Sequence, residues 1–169
     1  MIVIVDYDTG NTRNVKKALD YLGVNNQLSA DPAIIMAASG LILPGVGAFK
    51  EAMKALNQRQ LVPVIQAFAA TGKPLLGICL GMQLLFDRSF EFGETAGLGL
   101  IPGEVVAIPT DSGLAVPHMG WNTNSLTQPD LFAAVFADQA TYFVHSFYAT
   151  TLPQFTLATI DYGQPLPSI

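Results

Sequence analysis

The sequence is poor in cysteine and in charged residues. Its single cysteine, Cys79, excludes an internal disulfide and a zinc site built from several cysteines. Charged residues make up 12% of the 169 positions, against about 25% in an average soluble domain. Since 50% of the residues are hydrophobic, the chain is not intrinsically disordered. This composition is typical of one domain, residues 1–169, with a buried sheet.

Basic clusters and long apolar runs are also absent from the sequence. Lys16 and Lys17 are the only adjacent basic residues and the net charge is -5, which argues against nucleic-acid binding. The longest apolar stretch, residues 75–86, is shorter than the roughly 20 residues of a transmembrane helix. The apolar residues 2–5 have neither the basic flank nor the length of a signal peptide. We therefore expect a cytoplasmic protein, and no motif indicates a metal or a cofactor.

Short apolar runs alternate with helix-period segments in the first half of the chain. This alternation predicts an α/β fold with a largely parallel sheet and helices on both faces. The second half is richer in glycine and proline, and its strands are expected to extend the same sheet. The predicted strands are residues 2–5, 24–28, 40–43, 74–78, 104–108, 141–145 and 154–160; the predicted helices are residues 11–22, 32–38, 49–70 with a break near Pro63, and 80–87.

The most informative segment is Gly77-x-Cys79-x-Gly81, where a predicted strand turns into a predicted helix. This spacing is typical of a nucleophile elbow, because the strained turn needs small residues two positions before and after the nucleophile. The N–H of Leu80 can then point at a developing oxyanion. The alternative is a small buried cysteine between two incidental glycines.

A second glycine-rich loop, Pro44-Gly45-Val46-Gly47, follows another predicted strand. An elbow needs a second backbone donor from a neighbouring loop, and these glycines permit such a turn. On its own the segment is also compatible with an ordinary turn.

A third segment, Asp6-x-Asp8, follows the first strand and admits a different chemistry. A strand followed by two such aspartates suggests an aspartyl-phosphate site with magnesium. The hydroxyl residue expected two positions after the second aspartate is replaced by Gly10. A turn that caps the first helix through Thr9, Asn11 or Thr12 explains the same residues more simply.

Four segments occur in an order that carries a family resemblance: PGVGAF at 44–49, GICLGMQLLF at 77–86, PHMGWN at 117–122 and YFVHS at 142–146. Together they resemble class I, triad-type glutamine amidotransferases, and among these the glutaminase subunits of imidazole glycerol phosphate synthase. The resemblance implies a three-layer, flavodoxin-like α/β fold with a nucleophile elbow. It also implies glutamine hydrolysis through a cysteinyl thioester, without a cofactor, for histidine biosynthesis.

The resemblance further implies a partner and a set of functional residues. The partner is the cyclase subunit, a (β/α)8 barrel that receives the ammonia within a heterodimer. The implied roles, position by position, are nucleophile for Cys79; oxyanion-hole N–H donors for Val46 and Leu80; glutamine binding for Gly47, Gln83, Glu91, Ser146 and Phe147; and partner contact for Asn11, Trp121 and Tyr142.

The chain differs from the family pattern in one catalytic group, the acid that protonates the leaving ammonia. In the family it is the histidine of a C-terminal His-x-Glu segment, which we expect to be missing from this chain by truncation. The chain's histidines, His118 and His145, are expected to be structural. Two alternatives therefore stay open: a catalytically inactive scaffold that binds the partner, and an unrelated cysteine-elbow hydrolase or chaperone-like protein.

Overall fold

Four strands of the first half form one parallel sheet in this computed structural model, which describes residues 1–8, 10–111 and 113–169. The strands are β1 (Ile2–Val5), β2 (Asn26–Ser29), β3 (Gly40–Gly45) and β4 (Leu75–Cys79). Their order is β2-β1-β3-β4, and every neighbouring pair is parallel. The predicted parallel sheet is confirmed.

Helices connect these strands as the alternation predicts. They are α1 (Thr12–Tyr21), α2 (Pro32–Ala37), α3 (Phe49–Gln58) and α4 (Leu61–Ala70). The break in the segment 49–70 lies at Gln60, whose φ is 56°, and Pro63 fits inside the first turn of α4, where its missing N–H costs nothing. Among the described residues, no helix is long and apolar enough to cross a membrane.

The main core lies between one face of the parallel sheet and α2, α3 and α4. Alternate residues of the strands, such as Val3, Val5 and Leu43, pack there with Phe49 and Phe68. On α1, by contrast, no residue is fully buried. The core therefore holds β3 and α3, the two elements that flank the glycine-rich loop at residues 44–47.

The helix predicted at residues 80–87 is wrong in its second half. Helix α5 covers only Leu80–Gln83, and strand β5 follows at Phe86–Ser89. The carbonyl oxygens of Leu84 and Leu85 accept hydrogen bonds from the N–H groups of Leu98 and Leu100 rather than from a further helical turn. Tertiary hydrogen bonds thus end the helix, although the apolar residues 84–86 are compatible with either a helix or a strand.

The later strands form separate sheets, so the expectation that they extend the parallel sheet is wrong. One sheet has the order β11-β7-β5-β6, a two-stranded ribbon pairs β8 with β10, and a third sheet has the order β13-β12-β9. The predicted strand 154–160 begins only at residue 158, because a 3₁₀ turn at Pro153–Phe155 precedes it. The bounds are β6 Thr95–Ala96, β7 Ile101–Ala107, β8 His118–Thr123, β9 Ser125–Leu126, β10 Ala140–His145, β11 Phe147–Thr151, β12 Ala158–Asp161 and β13 Pro165–Pro167.

Candidate active site

The predicted elbow is present at the junction of β4 and α5. Cys79 ends β4 with φ 56° and ψ -119°, and Leu80 begins α5. A non-glycine residue adopts this conformation only when the surrounding structure forces it, at a cost of about 1–3 kcal/mol. The cysteine is also exposed, which contradicts the alternative of a buried core cysteine.

The two glycines of the elbow are required by the close approach of the backbone. A Cβ atom on Gly77 would lie 2.5 Å from the Cα of Met82, and one on Gly81 would overlap the carbonyl oxygen of Leu43. On the neighbouring strand, a Cβ on Gly45 would lie 2.7 Å from the backbone nitrogen of Gly81. Strand β3, strand β4 and helix α5 therefore touch through backbone atoms, which fixes the position of the thiol.

The glycine-rich loop after β3 lies directly beside the cysteine. Gly45 is the register partner of Cys79, so Val46 and Gly47 leave the sheet at the elbow. The Tyr7 hydroxyl donates a 2.6 Å hydrogen bond to the carbonyl oxygen of Pro44 and holds the start of the loop. Both predicted oxyanion donors, Val46 and Leu80, thus occur within one residue of this β3–β4 contact.

Glu91, two residues after the end of β5, approaches the same loop. Its Oε2 accepts a 2.7 Å hydrogen bond from the backbone N–H of Phe49, the first residue of α3. Ala48, the N-cap residue of α3, has no side-chain acceptor of its own, so the distant carboxylate caps this helix. Glu91 is half-buried, and its hydrogen-bond partner Phe49 lies two residues after Gly47 along the chain.

Gln83 joins the elbow helix to the first residue of β11. Its Nε2 donates a 3.0 Å hydrogen bond to the carbonyl oxygen of Phe147. The preceding residue, Ser146, accepts a 2.9 Å hydrogen bond at its own carbonyl oxygen from the N–H of Ile108. The ring of Phe147 also packs edge-on against Phe92, at 6.4 Å between centroids. The structure therefore brings the residues predicted to bind glutamine to the same region as the cysteine.

The two histidines form a pair that the sequence did not reveal. His118 Nδ1 lies 3.1 Å from His145 Nε2, and His145 Nδ1 lies 2.9 Å from the carbonyl oxygen of Phe147. Within the described residues, neither ring hydrogen-bonds to Cys79. The pairing depends on the antiparallel register of β8 and β10, in which His118 faces His145, and no local sequence signal encodes that register.

The histidine pair predicts a pH dependence of stability. Burial lowers the pKa of both imidazoles from 6.5, and the neighbouring His145 lowers the pKa of His118 further. The folded protein then binds fewer protons than the unfolded chain just below pH 6.5, so the free energy of unfolding should fall as the pH drops through this window. We expect both Cε1–H resonances to titrate below pH 6.5 in the native protein and near it in urea.

A second titrating group separates this effect from general acid unfolding. The hydrogen bonds from Asn26 and Lys16 lower the pKa of Asp20 below 3.8. The stabilisation that the ionised Asp20 carboxylate contributes is therefore lost only in more acidic solution than the histidine effect. A native histidine that titrates at or above pH 6.5 would contradict the prediction.

The residues predicted to contact a partner lie on the ribbon of β8 and β10 and before α1. Trp121 and Tyr142 are register partners, their rings meet edge to face at 5.6 Å, and they are 72% and 54% exposed. Met119 and Val144, two residues away on the same face, are also exposed. Asn11 is exposed at the N-cap position of α1, without a side-chain capping bond.

The aspartates after β1 have structural partners. Asp8 forms an ion pair with Arg59, and the Asp6 carboxylate accepts a 3.4 Å hydrogen bond from the N–H of Asp8. Thr9, one of the three suggested capping residues, lies outside the described residues. No group of three or more metal-binding side chains occurs in the part of the chain that the structure describes.

Comparison with known proteins agrees with this geometry. The model of the glutamine amidotransferase class-I family matches residues 3–164. The imidazole glycerol phosphate synthase subunit HisH of Lacticaseibacillus casei (strain BL23) is 99% identical over the whole chain, which covers 81% of that protein, and the HisH of Lactiplantibacillus plantarum is 59% identical with the same coverage. A crystal structure of a glutamine amidotransferase superposes with a TM-score of 0.71 at 18% identity, over 94% of this chain and 80% of that one. The chain therefore belongs to the class-I glutamine amidotransferases and, among them, to the family of HisH subunits of imidazole glycerol phosphate synthase.

Proposed function

We propose that the chain hydrolyses glutamine through a thioester on Cys79, as the glutaminase subunit of imidazole glycerol phosphate synthase. The observation that carries the proposal is the exposed Cys79 on a strained elbow, beside the loop after β3. The thiolate attacks the amide carbon of glutamine, and the N–H groups of Val46 and Leu80 stabilise the oxyanion. Ammonia leaves once protonated, and water then cleaves the thioester to release glutamate and the free thiol.

Glutamine binding is assigned to the residues that converge on the elbow. The Glu91 carboxylate caps α3 with Oε2, and we propose that it also attracts the substrate ammonium. Gly47, Gln83 and the backbone of Ser146 and Phe147 complete the proposed site. The link between Gln83 and the Phe147 carbonyl supports this assignment, because it ties the substrate loop to the helix that carries the elbow.

The proposed mechanism also needs an acid for the departing ammonia. Among the described residues, His118 and His145 hydrogen-bond to each other and to Phe147, and neither bonds to the thiol. We therefore assign the acid to neither of them. The family resemblance gives this task to a His-x-Glu segment, and the 169-residue sequence contains none.

For the ammonia, we propose transfer to a cyclase subunit with a (β/α)8 barrel in a cytoplasmic heterodimer. The relatives named above are subunits, which supports a partner for this chain as well. The exposed aromatic pair Trp121 and Tyr142, with Met119 and Val144 beside it, is the proposed contact surface, and Asn11 is proposed to add a polar contact. Exposed aromatic clusters are typical of binding hot spots.

The first experiment measures release of glutamate from glutamine by this chain, with and without the cyclase subunit, beside a Cys79→Ala control.

A second assay does not depend on the acid that protonates ammonia. A chloroketone analogue of glutamine, in which CH2Cl replaces the amide NH2, alkylates the thiolate and releases chloride. We expect saturable labelling of Cys79, protection by glutamine and no labelling of the alanine variant. Labelling that does not saturate, or that glutamine does not slow, would contradict the proposed glutamine site.

The partner surface has its own prediction. Trp121→Ala should weaken binding to the cyclase about 10-fold or more, because a large exposed ring at an interface contributes well over 1 kcal/mol. Titration calorimetry gives the dissociation constant, and Tyr21→Ala is the matched control, since Tyr21 is an exposed aromatic residue on α1. Equal affinities for the native chain and Trp121→Ala would exclude the ribbon as the contact surface.

A partner-binding scaffold without activity is the second candidate function. Two observations favour it: among the described residues neither histidine bonds to Cys79, and the aromatic face of the ribbon is exposed. Cyclase binding without saturable labelling and without glutamate release would support the scaffold. Saturable labelling without glutamate release would instead locate the deficiency in the acid alone.

A further inference from the structure

Two side chains donate hydrogen bonds to one backbone atom, the carbonyl oxygen of Phe147. Gln83 Nε2 lies 3.0 Å from this oxygen and His145 Nδ1 lies 2.9 Å from it. A carbonyl oxygen has two lone pairs, so these two donors complete its hydrogen bonding. They connect the helix after Cys79 to the end of β10, and β10 belongs to a different sheet from β4, the strand that leads into this helix.

The N–H and C=O groups of Phe147 point away from β7, outward from the edge of their sheet. Phe147 faces Ala107 across the β7–β11 pair, and next to it the N–H of Ile108 bonds to the carbonyl oxygen of Ser146. Hydrogen-bonded and non-hydrogen-bonded positions alternate along an antiparallel pair, so Phe147 occupies a non-hydrogen-bonded position. Its N–H and C=O therefore point to the side on which Gln83 lies. The side chains that hold the C=O restrain the φ and ψ angles of Phe147, and these angles also orient its N–H.

The hydrogen bonds determine which ring nitrogen of each histidine carries the proton. A carbonyl oxygen can only accept, so Nδ1 of His145 must donate to Phe147. In the neutral ring Nε2 then has no hydrogen, and it accepts from Nδ1 of His118 at 3.1 Å. Both rings are therefore Nδ1–H tautomers, and His118 selects the tautomer that His145 needs for its bond to Phe147.

His118 is itself held in place by its surroundings. It is 4% exposed and stacks on Tyr162, at 3.9 Å between ring centroids, and on Phe143, at 5.2 Å. The hydroxyl of Tyr162 donates a 2.7 Å hydrogen bond to the carbonyl oxygen of Ala115, which fixes the outer ring of this stack. The orientation of His118, and with it the orientation of His145, is thus set by packing.

We propose that His145 is a positioning residue for glutamine: it fixes the Phe147 peptide through the bond from Nδ1, and His118 fixes its tautomer. The inference rests on the proposed function, because it takes the Ser146–Phe147 backbone as a contact of the substrate. His145 acts through the Phe147 carbonyl and not on the thiol. Its loss should therefore weaken glutamine binding and leave the intrinsic reactivity of Cys79 unchanged.

The test compares His145→Asn with His145→Gln in the complex with the cyclase subunit. The amide nitrogen of asparagine reaches the position of Nδ1, whereas the longer glutamine side chain reaches the position of Nε2 and contacts His118 instead. We expect His145→Gln to raise the half-saturating concentration of the chloroketone analogue about 2- to 10-fold, as for one lost hydrogen bond, and His145→Asn to stay close to the native value. Iodoacetamide, which needs no glutamine site, should label all three proteins at the same rate.

Asn124→Ala controls for general loosening of the ribbon. Asn124 is buried at the other end of the ribbon, where it donates to the carbonyl oxygen of Gln139 and to the hydroxyl of Thr141. A rise in half-saturation for Asn124→Ala equal to that for His145→Gln would overturn the proposal, as would equal values for the native chain and both His145 variants. If the native chain itself does not saturate, the proposed glutamine site fails and the inference fails with it, which is a separate outcome.

A measurement without substrate tests the same proposal even if a variant does not fold. The sequence has two histidines, so the imidazole ¹⁵N spectrum of the native protein contains two rings. We expect both to be protonated at Nδ1 near pH 7.5. A neutral His145 ring with its proton on Nε2 could not donate from Nδ1 to Phe147, and it would rule out the positioning role.

Discussion

Cys79→Ala is expected to lower the rate of glutamate release by about 10⁴-fold or more, because no other nucleophile in this site can form the thioester. The binding surface should be unaffected, since the thiol has no described hydrogen-bond partner whose loss would propagate. Glutamate release in the complex with the cyclase measures the effect. Substantial release by the alanine variant would refute the thioester mechanism.

Cys79→Gly separates catalysis from backbone strain. Glycine adopts φ 56° and ψ -119° without the steric cost of a Cβ atom, whereas alanine retains that cost. We expect both variants to be inactive, and the glycine variant to have a free energy of unfolding about 1 kcal/mol above that of the alanine variant. Urea denaturation of the two proteins gives the difference. An alanine variant as stable as the glycine variant would mean that the elbow stores no strain.

Gly81→Ala is the substitution with the largest expected effect on stability. Its Cβ would overlap the carbonyl oxygen of Leu43, and backbone on both sides leaves no flexible group to move aside. We expect the free energy of unfolding to fall by about 3 kcal/mol or more, because the clash separates β3 from α5. The same separation would move the Val46 loop away from Cys79, so labelling by the chloroketone analogue should be lost in any protein that still folds.

Gly23→Ala is the matched control for this clash. Gly23 has φ 69°, so alanine is strained there, but a Cβ would meet no atom within 4 Å. This variant should lose only about 1 kcal/mol, with unchanged labelling of Cys79. Similar losses for the two variants would show that the approach of Leu43 to Gly81 can relax.

The elbow could be predicted from the sequence because its requirements are local. Gly77, Cys79 and Gly81 have the spacing that a strained turn between strand and helix needs, and the structure has that turn. The alternation of the first half likewise predicted the four parallel strands, since a buried βαβ unit shows in hydrophobic periodicity. The proline predicts a break near Pro63, but the break lies three residues earlier, at Gln60 with its left-handed backbone.

Local patterns failed where distant segments compete for the same backbone. Leu84 and Leu85 fit a helix by hydrophobicity, but Leu98 and Leu100 bind their carbonyl oxygens and the helix ends before them. Strand β5 then pairs with β7, in a sheet separate from the one that carries Cys79. Which strands pair depends on contacts across many residues, and these leave no trace in local periodicity.

The sequence by itself determined the parallel βαβ half, the elbow and the family, because glycine spacing and hydrophobic alternation act over a few residues. Only the tertiary structure decided that Glu91 caps the helix after the Gly47 loop. It also decided that His145 pairs with His118, 27 residues away, and bonds to the carbonyl oxygen of Phe147. The Glu91–Phe49 and His118–His145 contacts join residues that are 42 and 27 positions apart in the chain. Their geometry follows from strand register and packing, which the whole chain sets together.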